Sequence, residues 1–340
     1  MSPTGTLVRE PNPGTIFENL NAYQRSAALK AAIELEVFTE IARGNRSAEA
    51  IAKALSASTR GVRILCDYLA IHGFLIKDGA QYSLTADSGL FLDRNSPAYF
   101  GGVVGFVLDP RLIAPFLNLT EVVRTGRTTL PEEGTVSHDN PIWVNFARQM
   151  APMIFPGAKE MAALVAGDGE MRVLDIAAGH GLFGIMIAQQ NAKAKITALD
   201  WPNVLAVASE NAEKFGVAER VTMLAGDAFE VEFGGPYELI LVTNFFHHFD
   251  QPTCQTLMRK ILAALTAGGR CVTLEFVPND DRVSPPIAAE FAMTMLGTTP
   301  AGDAYTFAEY DAMFRKAGFA SSEFHPLTRS PESLVISRKE

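Results

Sequence analysis

The sequence predicts an α/β protein in which a doubly wound, mostly parallel sheet follows a mainly helical N-terminal region. Residues 171–200 have the pattern of a strand, a tight turn, a helix and a second strand, which together make one βαβ unit. Strand and helix patterns alternate from there to residue 276, ending with a helix at 253–265, a glycine turn at 267–269 and a strand at 270–276. A later helix is predicted at 307–317, and two adjacent strands, 321–327 and 333–337, end the chain. The region before residue 96 has apolar residues at helical spacing, so we expect a separate, smaller domain there.

The N-terminal region is predicted to be a winged helix. Residues 1–14 carry prolines among polar residues, and we expect them to form a flexible tail. Helical segments follow as far as Ile71, and residues 74–84 form a hairpin around the turn Asp78-Gly79. We therefore place this domain at residues 15–95.

A winged helix can bind DNA or hold two subunits together, and charge helps to separate these functions. Between residues 45 and 95 six basic side chains stand against five acidic ones, whereas a surface that follows phosphates is clearly basic. This balance favours dimerisation. Arg60 and Arg63, on the predicted recognition helix, keep open the alternative of a ligand-sensing, DNA-binding regulator.

Residues 96–165 are predicted to be helical and to join the two domains, with prolines dividing them into short pieces. Trp143, Phe146, Met150 and Met153 recur there at helical spacing, so one helix face is aromatic and rich in thioethers. Either core packing or the lining of a pocket would explain such a face.

The glycine turn of the βαβ unit fits two cofactor classes. Gly179, Gly181 and Gly184 form GxGxxG, and Asp200 follows about 20 residues later, which is the spacing of a dinucleotide site. An NAD-dependent oxidoreductase would use such a turn. Asp175, near the end of the first strand, would repel a pyrophosphate but would attract the ammonium group of S-adenosylmethionine.

A third strand end also carries a carboxylate. Residues 221–229 run VTMLAGDAF and place Asp227 just after the strand. Asp227 can accept a hydrogen bond from an adenine amino group, while the backbone around Ala228 and Phe229 meets the edge of the ring. Three successive strand ends with an acid favour the sulfonium nucleoside over the dinucleotide.

From about Ile16 onward the chain resembles the class I S-adenosylmethionine-dependent O-methyltransferases with an N-terminal winged-helix dimerisation domain, such as the plant caffeate and bacterial polyketide enzymes. The resemblance implies a seven-stranded Rossmann-like methyltransferase sheet over residues 166–340, a homodimer, and no metal, nucleic-acid partner or membrane partner. It implies S-adenosyl-L-methionine as cofactor and a small aromatic or polyketide-like hydroxyl as acceptor. The residues that it assigns to the cofactor are Asp175, Ala177, Gly179, Gly181, Asp200, Trp201, Gly226, Asp227, Ala228, Phe229, Thr243 and Asn244.

The resemblance places the chemistry in the segment VTNFFHHFDQPTC, residues 242–254. Methyl transfer to a hydroxyl needs a base to take the proton, and histidine titrates near neutrality. The family's base falls at His247, and Glu275 matches the acid that holds its ring. His248 stands where the family commonly has Asp, and its role stays open.

The chain departs from the family pattern at two positions. Ala177 replaces the first glycine of the DxGxGxG turn, so a methyl group stands where the backbone approaches the methionine part of the cofactor. Ala304 replaces a second acid, and Asp303 is its nearest substitute. The second departure leaves open whether the accepting atom is oxygen, nitrogen, carbon or sulfur, and whether the methyl group is transferred at all.

The acceptor pocket is predicted from apolar side chains near these motifs. Residues 276–304 are expected to cover the active site, with Phe291 and Leu296 facing the acceptor. Together the candidates imply a planar, apolar acceptor of moderate size. The side chains that we assign to the pocket are Phe146, Met150, Phe246, Met293 and Met295.

Composition limits the partners and the cellular location that we expect. A net charge of −9 gives no bulk attraction to nucleic acid or to an anionic membrane surface. Three scattered cysteines without a CxxC motif indicate buried thiols in a reducing compartment. Since no apolar run approaches the span of a bilayer, we expect a cytoplasmic enzyme.

Overall fold

The computed structural model describes residues 11–131, 133–137 and 140–340, so most of the predicted tail at residues 1–14 lies outside the described residues. The chain divides into two compact units, residues 1–104 and 105–340. The elements of the first unit are α1 (Gly14–Leu20), α2 (Ala22–Glu34), α3 (Val37–Ala42), α4 (Ala48–Ala54), α5 (Thr59–Ile71), β1 (Leu75–Asp78), β2 (Gln81–Leu84) and α6 (Ala86–Phe91), with α7 (Val104–Val107) at the division.

Helices and a two-stranded hairpin make up the first unit, as predicted. Ser47 and Ser58 cap α4 and α5 by accepting from the backbone N–H groups three residues further on. The α5 side chain of Arg63 is held by Asp67 at 2.9 Å, and Asp67 also binds Lys77 at 2.6 Å. Part of the basic charge that could have faced DNA is therefore neutralised within the unit.

The second unit contains the large sheet. Its elements are α8 (Pro110–Leu117), α9 (Leu119–Thr125), α10 (Ile142–Gln149), α11 (Ala151–Val165), β3 (Met171–Ile176), α12 (Leu182–Gln190), β4 (Ala194–Asp200), α13 (Pro202–Lys214), β5 (Val221–Ala225), β6 (Tyr237–Thr243), α14 (Gln251–Ala264), β7 (Leu265–Glu275), α15 (Pro286–Thr298), α16 (Phe307–Ala317), β8 (Ser321–Pro326) and β9 (Ser333–Arg338). Short 3-10 turns lie at Gly101–Val103, Gly134–Val136, Ala218–Arg220 and Phe246–His248.

The sheet has seven strands in the order β5-β4-β3-β6-β7-β9-β8. The first five are parallel, while β9 runs antiparallel to both β7 and β8. This confirms the predicted doubly wound sheet with an antiparallel edge. The chain passes from β3 to β4 on one side and later returns to β6 on the other, so the strand order reverses at β3. Ligands of such sheets bind at that reversal, beyond the carboxyl ends of the strands.

Helices cover both faces of the sheet. One face packs against α14 and α16, with Ile240, Met258 and Phe314 in a single buried cluster. On the other face α12 lies between the strands and α11, and its residues from Leu182 to Ala188 are all buried. A helix that is apolar on every side requires such a position.

Two sequence-based boundaries differ from the structure. Residues 105–165 belong to the second unit instead of forming a separate linking segment. The Thr128 hydroxyl donates to the Gly297 carbonyl at 2.6 Å, and α11 packs along α12, so tertiary contacts bind this segment to the sheet. In addition, β7 already begins at Leu265, where the sequence had indicated a glycine turn before residue 270.

The three cysteines are buried free thiols, as predicted. Among the described residues no helix is both long enough and apolar enough to cross a membrane.

Candidate active site

The candidate site lies at the carboxyl end of the parallel strands. The turn after β3 carries the glycines, and β4 ends at Asp200. The loop of residues 226–229, called here the GDAF loop, follows β5, and residues 244–249, called here the histidine loop, follow β6. Because β3 pairs with β4 on one side and with β6 on the other, these loops meet at one edge of the sheet.

The glycine turn uses left-handed backbone at three positions. Gly179 has φ +59° and Gly181, the N-cap of α12, has φ +74°. Ala177 also adopts φ +54°, a conformation that costs a residue with a β-carbon about 1–2 kcal/mol. The position therefore suits the glycine that the family has there. A β-carbon on Gly184 would lie 2.7 Å from Ile196, so this third glycine is required by helix–strand packing.

Asp175 lies beneath the turn and does not face the crevice. Its side chain is fully buried, and Oδ2 accepts from the Gly184 N–H at 3.0 Å. Oδ1 is enclosed and has no hydrogen-bond partner among the described residues. Burial raises the pKa of Asp175 to about 7. The expected direct contact with the cofactor's ammonium group is thus not what the structure shows, because the strand register turns this side chain under α12.

Asp200 is more accessible than Asp175. Its carboxylate accepts from the Gly179 N–H at 2.8 Å and from the Trp201 N–H at 2.7 Å, yet the residue remains partly exposed. Burial raises the pKa of Asp200 to about 6, against the effect of these two donors. The remaining lone pairs can accept from hydroxyl groups of a ligand.

The GDAF loop is ordered by hydrogen bonds of Asp227, Lys260 and Gly226. Asp227 is partly exposed, and its Oδ1 accepts from the Phe229 N–H at 2.8 Å. Lys260, on α14, donates to the carbonyls of Ala228 and Phe229 at 3.0 and 2.9 Å. Gly226 begins the loop and donates to the Asp200 carbonyl at 3.1 Å. The two predicted acids therefore stand on directly connected loops. The role of Lys260 was missed because nothing near it in sequence marks it.

His247 and Glu275 form a buried pair. The His247 Nδ1 atom contacts Glu275 Oε2 directly. Glu275 Oε1 accepts from the backbone N–H groups of Phe245 at 3.0 Å and of His247 at 3.4 Å. Burial lowers the pKa of His247 and raises that of Glu275, while the backbone donors around Glu275 oppose the second shift. With Glu275 ionised, the proton of a neutral His247 lies on Nδ1, and Nε2 is the position that can accept one.

Aromatic rings surround this pair. Phe291, on α15, meets the His247 ring edge-on at 4.8 Å between centroids and stacks on Phe276 at 4.1 Å. The ring of His248 lies 4.2 Å from that of His247 and 5.2 Å from that of Trp143, between centroids. Phe291 thus lies beside the ring of His247, and its contact with the acceptor stays a prediction.

The predicted pocket residues divide into three groups. Phe146, on α10, lies over the glycine turn, with its ring 3.9 Å from where a β-carbon of Gly179 would stand. Met150 and Met295 are nearly buried, whereas Met293 is 46% exposed. Residues two apart on a helix such as α15 point to different sides, so Met293 and Met295 cannot line one pocket. Phe246 is fully buried against Phe314, so it belongs to the core and not to a pocket.

The replacement of the second acid is resolved by the structure. Asp303 donates its backbone N–H to the His247 carbonyl at 3.0 Å, but its carboxylate binds the Ala304 N–H and Arg282. Asp303 therefore supports the histidine loop through its backbone only. Ala304 itself is buried.

Another buried carboxyl, Glu332, was missed by the sequence analysis. It lies just before β9, whose first residue, Ser333, pairs with Glu275. Glu332 accepts from the Ser330 hydroxyl at 2.6 Å and interacts with the side chain of Asn244. Asn244 has φ +55° and donates its N–H to the Leu274 carbonyl at 2.9 Å. Glu332 thus anchors the beginning of the histidine loop.

Thr243, Trp201 and His180 pack around the site. Thr243 is buried at the end of β6. Trp201 is half-buried and packs with Val204 beside α10. His180, which the sequence analysis did not single out, accepts from the Leu182 N–H at 3.1 Å, and burial lowers its pKa to about 4.

The chain matches two family profiles. An O-methyltransferase domain covers residues 135–320, and an O-methyltransferase dimerisation domain covers residues 17–94. The chain belongs to the S-adenosylmethionine-dependent O-methyltransferase family. This confirms the predicted family and enzyme class, and it favours them over the NAD-dependent oxidoreductase and the DNA-binding regulator.

Relatives of this O-methyltransferase extend over almost its whole length. The 3-hydroxy-5-methyl-1-naphthoate 3-O-methyltransferase of Streptomyces sahachiroi is 30% identical over 93% of this chain and 92% of its own. A solved structure from Nostoc punctiforme, assigned as an O-methyltransferase, is 49% identical with a TM-score of 0.95, over 97% of this chain and 100% of the other. Human N-acetylserotonin methyltransferase, solved in complex with SAM, shares the fold with a TM-score of 0.84. It is 22% identical, and the match covers 98% of this chain and 99% of the other.

Proposed function

We propose that this O-methyltransferase transfers a methyl group to the hydroxyl of a small aromatic or polyketide-like acceptor, with His247 as general base. The observation that carries the proposal is the buried pair His247–Glu275, which stands beside the glycine turn at the reversal of strand order. S-adenosyl-L-methionine, when bound, supplies an activated methyl group, so the chain's own residues have to align the acceptor and take its proton.

The acidic strand ends fit this cofactor. Asp200 and Asp227 are both partly exposed carboxylates that retain accepting capacity, as ribose hydroxyls and an adenine amino group require. Asp175 is proposed to act indirectly, because it holds the Gly184 end of the turn from below. The backbone of the turn and of Thr243 and Asn244 is proposed to meet the methionine part.

Glu275 gives His247 the properties of a base. Its carboxylate accepts from Nδ1 and so keeps the Nε2 lone pair available, and it stabilises the imidazolium that forms when the acceptor loses its proton. Burial keeps the free imidazole neutral, which is the state that a base needs.

The aromatic surroundings favour a planar acceptor. Phe291, Trp143 and Phe146 present ring edges and faces around the two histidines and the glycine turn. The relative from Streptomyces sahachiroi is named for a hydroxynaphthoate, and a Streptomyces glaucescens relative, 26% identical over 96% of this chain and 97% of its own, is named for tetracenomycin polyketide synthesis. We therefore propose a hydroxylated, fused or single arene.

The first unit is proposed to form a homodimer. Its sequence matches a dimerisation domain, and α1 and the start of α2 expose Ile16, Phe17, Leu20 and Tyr23 by 61–69%. Exposed apolar surface of this kind marks protein interfaces. The cytoplasmic location stays a prediction.

Calorimetric titration tests the cofactor first. S-adenosylhomocysteine should bind and NAD should not, and binding of NAD alone would refute the proposal. The base is tested with His247→Ala, by following methyl transfer from labelled S-adenosylmethionine to a panel of hydroxyarenes. We expect a loss of about 10²- to 10⁴-fold in kcat, the usual contribution of a positioned base.

The chain offers a matched control for this variant. His325 also pairs with a glutamate, Glu323 at 3.4 Å, but the pair lies on the surface of β8. His325→Ala should keep the native rate. Equal activity of His247→Ala and the native enzyme would remove His247 from its role.

A further inference from the structure

The hydrogen bond of His248 defines which of its ring nitrogens carries the proton, and the proposed reaction at His247 gives this residue no role. Its Nδ1 atom lies 3.2 Å from the Phe245 carbonyl. Because a carbonyl oxygen can only accept, Nδ1 has to carry the proton. The other ring nitrogen, Nε2, is therefore a lone-pair acceptor.

That acceptor has no hydrogen-bond partner in residues 11–131, 133–137 and 140–340. Among the described residues nothing hydrogen-bonds to His248 Nε2, and yet this atom is not sealed off, in contrast to His180 Nε2, which is fully enclosed. The ring packs against the rings of His247 and Trp143, at 4.2 and 5.2 Å between centroids. A ring fixed in place with an open acceptor is suited to receive a donor from a ligand.

The two histidines differ in what stands behind them. Glu275 supports His247 with a carboxylate, which can stabilise a positive ring, whereas His248 has only a neutral carbonyl. Burial and the adjacent His247 ring lower the pKa of His248 well below its ordinary value. His248 therefore accepts a hydrogen bond without taking the proton.

We propose that His248 is a specificity-determining residue that accepts a hydrogen bond from a second donor on the acceptor, next to the hydroxyl that His247 deprotonates. The inference rests on the proposed function. It names the acceptor class as arenes with two neighbouring donor groups, such as ortho-dihydroxyarenes or arenes with a hydroxyl beside an N–H. The two ring centroids lie 4.2 Å apart, so a donor that binds His248 has to be close to the hydroxyl that His247 deprotonates.

Binding to the S-adenosylhomocysteine complex of the full chain tests this assignment without requiring turnover. The probes are 2,3-dihydroxynaphthalene and 2-naphthol, which share the ring system and differ by the second hydroxyl. The native protein should bind the diol about tenfold more tightly, the size expected for one additional hydrogen bond. His248→Phe keeps a ring but removes the acceptor, so the ratio of the two affinities should fall to about one. His248→Gln, whose amide oxygen can accept, should restore part of the preference.

The outcomes separate this inference from the proposed function. A native protein that binds S-adenosylhomocysteine but shows no preference for the diol, or binds neither probe, overturns the role of His248 alone. A preference that persists in His248→Phe does the same. Failure to bind S-adenosylhomocysteine would instead refute the cofactor site. His325→Phe serves as the control for a histidine outside the site, and it should keep the native ratio.

Discussion

Glu275→Gln changes the donor pattern beneath the base with almost no change in volume. In the native protein Oε1 accepts from the Phe245 and His247 N–H groups, at 3.0 and 3.4 Å, and Oε2 contacts His247 Nδ1. A glutamine can keep its oxygen toward the backbone and then turns its NH₂ group toward the ring. Because an NH₂ group only donates, Nδ1 has to accept, and the ring proton moves to Nε2. The base then has no lone pair for the acceptor's proton.

The expected loss can be bounded from these contacts. A hydrogen bond to a charged group contributes about 1.5–3 kcal/mol, or roughly 10- to 150-fold in rate when only the transition state has the charge. The inverted tautomer adds to this, and in serine protease triads the equivalent exchange lowers kcat about 10⁴-fold. We therefore expect kcat of Glu275→Gln to fall about 10²- to 10⁴-fold. S-adenosylhomocysteine affinity should change little, since none of the carboxylates assigned to the cofactor touches Glu275.

Single-turnover transfer of labelled methyl to an acceptor found in the hydroxyarene panel measures this loss directly. Glu332→Gln is the matched control, because Glu332 is also a buried carboxyl and lies just before the neighbouring strand β9, but none of its described contacts is with the His247 ring. Its kcat should fall far less. If Glu275→Gln kept kcat within about fivefold, or if both variants lost equally, the tautomer argument would be wrong.

Three further perturbations follow from other parts of the site. Lys260→Met removes the ammonium group that donates to both carbonyls of the GDAF loop, so the affinity for S-adenosylhomocysteine should fall about five- to tenfold by calorimetry. The affinity of Lys260→Arg should lie closer to that of the native protein. Burial raises the pKa of Asp175 from its ordinary value of 3.8 to about 7 in the folded protein. The protonated carboxyl therefore stabilises the folded state fully below pH 3.8, and this stabilisation is lost as pH rises through 7. Asparagine does not titrate, so the free energy of unfolding of Asp175→Asn, measured in urea, should rise relative to that of the native protein between pH 5 and 8. If the two unfolding free energies changed in parallel with pH, the prediction would be wrong. Ala177→Gly removes a β-carbon from a residue with left-handed backbone. The free energy of unfolding, measured by thermal unfolding, should therefore be at least about 1 kcal/mol higher for Ala177→Gly than for the neighbouring Ala178→Gly.

Elements with strong local signals were predicted well. The late helix was predicted at residues 307–317 and is found there, because Thr306 and Glu309 form a capping box and Gly318 ends it in left-handed backbone. The ends of β4 and β5 were located by apolar runs that stop at Asp200 and just before Asp227. Such features depend on residues that are close in sequence.

Features that depend on the packing of distant segments were not predicted. Whether Asp175 faces the crevice or the underside of the turn is decided by the β3 register and by Gly184, not by the strand pattern. The helix α15 was missed because its apolar residues were interpreted as a covering segment, and the opposite exposure of Met293 and Met295 follows from its helical geometry. Glu332 lies nearly 90 residues from Asn244 along the chain, yet it holds the loop that starts there.

The pair of adjacent histidines shows most clearly what tertiary structure adds. Their side chains are identical and consecutive, and although the resemblance to the family places the base at His247, it leaves the role of His248 open. The 3-10 turn at Phe246–His248 directs Nδ1 of the first ring to the carboxylate at the end of β7 and Nδ1 of the second to a carbonyl of its own loop. In the proposed mechanism the first ring can therefore carry a positive charge during the reaction, whereas the second has no carboxylate at Nδ1 to stabilise one. This difference in the partner of one nitrogen atom is the basis on which we assign proton transfer to His247 and acceptor recognition to His248.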